Sequence, residues 1–264
     1  MKKVLLSVLM ASGLLAAPCV FAADEVFNRN AVDNGDFSSG LTSWEGTNIS
    51  ESENIMFDEV WGWHYLSLGG EGEYEEAKQT VDVSEDAGWV NIEFNCTFET
   101  SDETDSDYYV FSILDHATGE ILQREHVYPS DNNENCGKSE KISSYAGKSI
   151  DIIFGVNNGS STLTTAEISQ VVITEKSYSK MKGRVFDNDY HLVKNATVTI
   201  KRYSGEKIWS GKTNDNGIFR ATHLKGGPYN KASIKIVKNG VTKKFYRYID
   251  WGESYDKTFR ITEL

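Results

Sequence analysis

The run VNIEFNCTF, Val90 to Phe98, alternates apolar and polar side chains without a break. A period of two places Val90, Ile92, Phe94, Cys96 and Phe98 on one face of an extended strand. That face looks into a core, so Cys96 points inward and the strand is half-buried. The same pattern recurs on both sides, in HYLSL, AKQTVDV, YYVFSILD, SIDIIFGV and ISQVVI. Further on come MKGRVFDND, NATVTIKRY, EKIWSGKT, IFRATHL, ASIKIVK and VTKKFYRYI. Gly, Asn, Asp and Ser separate these short runs, and no segment has the period of a long helix. The chain is therefore all-β.

Charge divides the chain. Residues 23–178 carry 7 basic and 31 acidic side chains, a net of −24; residues 179–264 carry 18 and 8, a net of +10. The division predicts two domains, 23–178 and 179–264, behind a leader at 1–22. In the leader, Lys2 and Lys3 precede an apolar run from Val4 to Ala17, and Val20-Phe21-Ala22 offers a small-x-Ala cleavage site. The run is shorter than the roughly 20 residues a membrane helix needs. A short leader of this kind resembles a bacterial one and predicts a secreted protein, periplasmic or extracellular, without a membrane span. Cys19 leaves with the leader. Cys96 and Cys136 remain, and in an oxidising compartment they are expected to form one disulfide.

The turns are legible too. Asn214–Gly217 (NDNG) and Lys238–Val241 (KNGV) carry Asn-Gly, which favours tight primed hairpins. About seven strands in some 85 residues fit a small immunoglobulin-like sandwich. Near the other end, VDNGDFSSGLTSWEG (Val32–Gly46) sets Phe37, Leu41 and Trp44 between two glycine turns. It predicts an N-terminal strand tied to the sandwich by a buried Trp.

Three segments, in order, resemble the galactose-binding-like jelly-roll carbohydrate-binding modules. They are NGDFSSGLTSW, WGWHYLSLGGEGEYEEAKQTVDV and ISSYAGKSIDIIFGVNNGSS. The resemblance covers about residues 30–175 and implies a β-jelly-roll sandwich and a carbohydrate or cell-surface glycan as partner. Many such modules hold a structural calcium with an acidic residue just after the Asn-Gly-x-Phe segment and an Asp near the last strand. Here Ser38 and Ser169-Gln170 stand at those places, and Asp36 is the carboxylate left to compensate. No other cofactor is implied. Residues from about 181 resemble the carboxypeptidase-regulatory-like, transthyretin-like (prealbumin-like) sandwich, on GRVFDNDYHLVKNATVTI and TNDNGIFRATHLKGGPY. Such domains are usually spacers.

Catalytic motifs are missing: there is no Gly-x-Ser-x-Gly elbow, His-Glu-x-x-His or phosphate loop. A glycosidase would need two carboxylates roughly 5–10 Å apart; Glu71, Glu73 and Glu75 in GEGEYEEA share a strand face, but read better as solvated surface. Binding has stronger candidates. DEVWGWHY brings Trp61, Trp63 and Tyr65 near Asp58 and Glu59. Indole planes can stack on sugar rings while carboxylates accept hydroxyl hydrogen bonds; the alternative is that both Trp residues cap the sandwich. If Leu66 and Leu68 face the core, Trp63 and Tyr65 face away. One of Tyr108 and Tyr109 should face out as well, and Tyr109 is taken as the ligand contact. In the second domain a two-residue turn at Asn239-Gly240 pairs Lys235 with Lys244, with Tyr246 on the same face. Like charges opposed across strands call for an anion or solvent; with secretion, that anion is a glycan, lipopolysaccharide or acidic protein surface and not nucleic acid.

The sequence thus predicts a secreted, non-catalytic binding protein that recognises carbohydrate through the first domain, with the second as spacer or further contact. An adhesion or extracellular-matrix protein with a protein partner is the rival, and a glycan hydrolase the residual. The opposed charges also predict salt-sensitive closure of the two domains on each other, or head-to-tail self-association.

Overall fold

The computed structural model describes residues 26–70, 74–100, 106–131, 135–159, 163–227 and 230–262. The leader, Glu71, Glu73 and most of the acidic loop after Thr100 lie outside the described residues.

The first half holds eleven strands: β1 (Asn28–Asn30), β2 (Glu45–Thr47), β3 (Ile55–Asp58), β4 (Trp63–Gly70), β5 (Glu75–Asp82), β6 (Ala87–Thr100), β7 (Tyr108–Asp115), β8 (Ile121–Val127), β9 (Lys138–Lys141), β10 (Ser149–Asn157) and β11 (Thr164–Ser177). They form two facing antiparallel sheets. One has the order β3-β4-β11-β6-β9, with β1 added to β11; the other is β2-β5-β10-β7-β8. Chain neighbours β5 and β6 lie in different sheets, as do β6 and β7, so the chain crosses repeatedly between layers as a jelly-roll sandwich does.

The alternation in β6 holds from Ile92 to Glu99, while Asn91, expected to face out, is buried. Val90, Ile92, Phe94, Cys96 and Phe98 are buried while Glu93, Asn95, Thr97 and Glu99 are exposed. Phe94 meets Phe111 and Phe154 from the opposite sheet at 4.9 and 5.0 Å between ring centroids. Trp44 is buried as expected, 5.2 Å from Phe37 and 5.9 Å from Phe154, with its indole N–H donating to the Asn34 carbonyl. Its surroundings differ from the expectation. Residues 33–43 are turns and not a strand, because Phe37 and Gly40 take positive φ and break any extended run. Gln79 on β5 holds this turn from both sides, accepting from the Asp33 N–H and donating to the Asp33 carbonyl.

Cys96 and Cys136 form a disulfide, with 4.9 Å between their Cα atoms. The inward aim of Cys96 makes it possible, and Cys136 N–H donates to the Cys96 carbonyl beside it. Tyr109 is a correction. It is 1% exposed, packed within the core near Phe98, and therefore not a surface contact. Alternation along β7 sends Tyr109, Phe111 and Ile113 inward, which leaves Tyr108 as the outward member of the pair.

The second half holds β12 (Ser179–Phe186), β13 (Thr197–Arg202), β14 (Lys207–Lys212), β15 (Ile218–Leu224), β16 (Lys231–Lys238), β17 (Val241–Tyr248) and β18 (Ser254–Arg260). Sheets β15-β12-β18 and β14-β13-β16-β17 close around their own buried cluster, which includes Val198, Ile200, Phe219, Ile234, Ile236 and Phe259. First and last strands β12 and β18 run parallel, so five intervening strands make the crossover, an immunoglobulin-like arrangement. Asn239 and Gly240 both have positive φ in the β16–β17 turn, as a primed hairpin requires. Asn214–Gly217 is no such hairpin: only Gly217 of its Asn-Gly pair has positive φ, and the turn carries the chain from β14 to β15 in the other sheet.

Tyr178 alone separates β11 from β12. Its ring lies 5.7 Å from Trp251 and 5.6 Å from His223, and Gly252 N–H donates to the Ser177 carbonyl. Gly88 comes so close that a Cβ there would stand 2.4 Å from the Trp251 ring. The segment from Glu175 to Gly183 is thus packed strand and no slack tether. Every ion pair among the described residues joins groups of the same sandwich.

Candidate functional site

Strands β3 and β4 are joined by a short loop, residues 59–62, and Asp58 pairs with Trp63 across it. Asp58 builds that loop. Its Oδ1 accepts from the backbone N–H groups of Val60 and Trp61 at 2.8 and 3.0 Å, and its carbonyl accepts from Gly62 N–H. Gly62 sits at φ +73°, where a side chain would be strained. The turn throws the two indoles to one side, where they stack at 5.9 Å with planes 13° apart. Trp61 is 69% exposed and Trp63 40% exposed. They stand over the outer face of their sheet, as the period of two predicts from the buried Leu66 and Leu68.

That face carries an open cleft of about 640 Å³. Asp58, Trp61, Trp63 and Tyr65 form one wall. The floor comes from neighbouring strands: Asn95 and Thr97 on β6, Glu167 and Ser169 on β11. Asn135 closes the far side, bridged to Thr97 at the disulfide. Register explains the grouping. Glu167 pairs with Ser67 on one side and Thr97 on the other, and Ser169 pairs with Asn95, so alternate outward positions of three strands fall in rows. Asn95 donates to Gln170 and Thr97 to Glu167, fixing part of the floor.

Electrostatics fit the acidic composition. Burial and the nearby carboxylates of Glu167 and Asp58 push the Tyr65 hydroxyl above its ordinary pKa. It therefore stays protonated and can donate, while the two carboxylates accept. The cleft combines stacking surface, donors and acceptors.

The other sequence-selected residues fall elsewhere. Glu59 is exposed on the loop and does not line the cleft. Asp36 holds its own turn, accepting from the Ser38 N–H and hydroxyl. Among the described residues no three His, Cys, Asp or Glu side chains are grouped to hold a metal. Glu75 is half-buried, with Oε2 accepting from Gly69 N–H and the Asn54 amide; it ties a corner together instead of forming solvated surface. Lys235 and Lys244 are direct cross-strand neighbours and Tyr246 shares their face. Asn95, Thr97, Asn135 and Glu167 were not singled out from sequence, and Ser169 only as the residue standing where a calcium-holding Asp would be. Alternation marks Asn95 and Thr97 as outward, but no local signal says which outward positions share a cleft.

No protein-family description matches the chain, and no curated protein matches it. Solved structures with a similar fold include TmCBM61 in complex with β-1,4-galactotriose, at 15% identity over 55% of this chain and 97% of that one, TM-score 0.41. A non-crystalline cellulose specific carbohydrate-binding module, CBM28, is 11% identical over 54% and 93%, TM-score 0.37. The adhesin domain of Epf from Streptococcus pyogenes is 9% identical over 78% and 82%, TM-score 0.28. At these scores the likenesses carry no argument about what this chain binds.

Proposed function

We propose that this protein is a secreted, non-catalytic binding protein that recognises neutral carbohydrate in the cleft over β4, β11 and β6. The observation that carries the reading is the stacked, exposed Trp61–Trp63 pair on the wall of a polar cleft. Two indoles left in water are unfavourable by their apolar area, and their negative π faces attract the electropositive C–H face of a sugar ring. Asp58, Glu167, Asn95 and Asn135 supply acceptors and amide donors for hydroxyl groups. The surrounding acidity selects against anionic sugars, since a buried like-charge contact is costly. Asp58 already anchors the turn through two N–H donors, which suits a positioning role better than proton transfer.

The test is calorimetric titration of the mature chain against neutral oligosaccharides, with Trp61→Ala and Trp63→Ala. Each variant should lose about tenfold in affinity with its melting temperature nearly unchanged. A large stability loss in both would make the indoles caps of the sandwich. Capture of a protein partner with no glycan bound would favour the adhesion reading, and hydrolysis of chromogenic glycosides would overturn the non-catalytic one.

A further inference from the structure

The second sandwich has an outward face of opposite character. On sheet β14-β13-β16-β17, Ile200, Ile234 and Ile236 point into the core. The alternate positions face water and fall in register. Lys235 pairs with Lys244 and with Thr199, which pairs in turn with Ser210. One step along, Ser233 pairs with Tyr246 and with Lys201, which pairs with Lys207. Strands lie about 4.8 Å apart and same-face residues about 6.8 Å along each strand. Lys244, Lys235, Lys201 and Lys207 therefore make a stripe, one lysine per strand, crossing the whole sheet over about 14 Å. Lys212 and Lys231 flank it on the same face.

No carboxylate stands at the outward register positions of these four strands. Among the described residues none of the six lysines makes an ion pair, although Arg202 beside them pairs with Glu206 and Lys182 on the other sheet pairs with Asp256. Opposed like charges destabilise a sheet, so a free stripe of this kind is retained at a cost that a bound anion would remove. A shallow groove of about 190 Å³ lies against the stripe, lined by two of its lysines, Lys201 and Lys244, together with Arg202, Tyr203, Lys231 and Tyr246. Lys231 Nζ lies 5.2 Å from the centre of the Tyr246 ring. Tyr203 is 85% exposed and Tyr246 50%.

We infer that this face binds a linear anionic polysaccharide. The lysines supply charge at closely spaced points, the interleaved Ser and Thr hydroxyls can hydrogen-bond sugar hydroxyls, and the exposed tyrosines offer planes for rings. The chemistry of this face is complementary to that of the acidic cleft on the first sandwich, so the two faces take ligands of opposite kind and do not compete.

The experiment uses the mature full-length chain and three probes: dextran sulfate, polygalacturonate and uncharged dextran. Affinity is measured at low and high salt for the parent, for Lys201→Gln/Lys235→Gln/Lys244→Gln, and for Trp61→Ala. The expected result is salt-sensitive binding of one or both polyanions, which also separates sulfate from carboxylate recognition, with no binding of dextran through this face. The triple variant should bind about tenfold to a hundredfold more weakly at an unchanged melting temperature, while Trp61→Ala binds the polyanions normally. Equal binding by parent and triple variant overturns the inference, as does failure of the parent to bind either polyanion. A salt-sensitive dimer that the triple variant loses, without polyanion binding, would give the face to the acidic domain of a second copy instead.

Discussion

The outer face of the β4-β11-β6 region and the outer face of the β13-β16 region are built by the same rule and carry opposite chemistry. In both, a period of two sends Ile, Val, Leu and Phe inward, and the positions between them are left to water. On the first those positions are Tyr65, Glu167, Asn95 and Thr97 under a pair of indoles. On the second they are lysines, hydroxyls and tyrosines. The core fixes half of each strand and leaves the other half free to diverge. Opposite charge on similar geometry is what separates the acidic cleft from the lysine stripe, and the packed Tyr178 junction holds both on one chain without slack.

The largest expected effect breaks the comparison at its covalent difference. Only the first sandwich carries a disulfide, and Cys136 lies next to Asn135, the far wall of the cleft. Closing a loop of 40 residues is worth about 4 kcal/mol in the chain-entropy model. Cys96→Ser with Cys136→Ser should lower the melting temperature of the first sandwich by several degrees and weaken glycan binding, because Asn135 is no longer fixed. The second sandwich has its own core and should melt unchanged. Differential scanning calorimetry checks this; a joint shift of both transitions would show that the junction couples the cores.

A smaller effect separates two adjacent residues. Tyr109 has a buried hydroxyl with no hydrogen-bond partner among the described residues, and burial pushes its pKa well above the ordinary value. An unsatisfied buried hydroxyl costs about 1–3 kcal/mol. Tyr109→Phe should therefore stabilise the first sandwich by about 1 kcal/mol in chemical denaturation and leave glycan binding alone. Tyr108→Phe, on the other face, should do neither. Destabilisation by Tyr109→Phe would show that the hydroxyl has a partner after all.

That pair also marks how far the sequence could be read. Alternation in YYVFSILD says that Tyr108 and Tyr109 face opposite ways, but the run Tyr109–Leu114 is apolar except for Ser112 and marks the parity only weakly, since Val110 and Ser112 on the outward face are buried as well. The all-β class, the Asn-Gly hairpin and the Lys235–Lys244 pairing were legible because each rests on local spacing. The indole loop was legible for the same reason, with Asp58, Gly62 and both Trp residues inside six positions. The cleft floor was not. Glu167 and Thr97 are 70 residues apart and meet only through the register of β6 and β11, which no local pattern specifies. The stretch at 33–43 was half legible: Gly35 and Gly40 mark its turns, but Phe37 adopts a positive φ that favours glycine, which breaks the strand expected there.

The smallest effect concerns a third outer face, that of the β10-β7-β8 region. His126 on β8 packs against Tyr108 at 5.1 Å and stacks on Tyr128 at 5.8 Å. Burial, and then the positive charge of Arg124 two residues away, lower its pKa below the ordinary imidazole value. The folded state thus prefers the neutral ring more than the unfolded chain does. The stability this contributes is fully present above the unfolded value of about 6.5 and is lost as pH falls through the lower folded value. The parent should become less stable in moving from neutral to mildly acidic buffer, and His126→Gln should remove that part of the slope. Because the ring is largely open to solvent the change is small, best read as a difference in melting temperature between the two proteins across the pH series. A steeper acid loss in His126→Gln than in the parent would mean that protonation stabilises this face, and that the aromatic cluster holds the charged ring and not the neutral one.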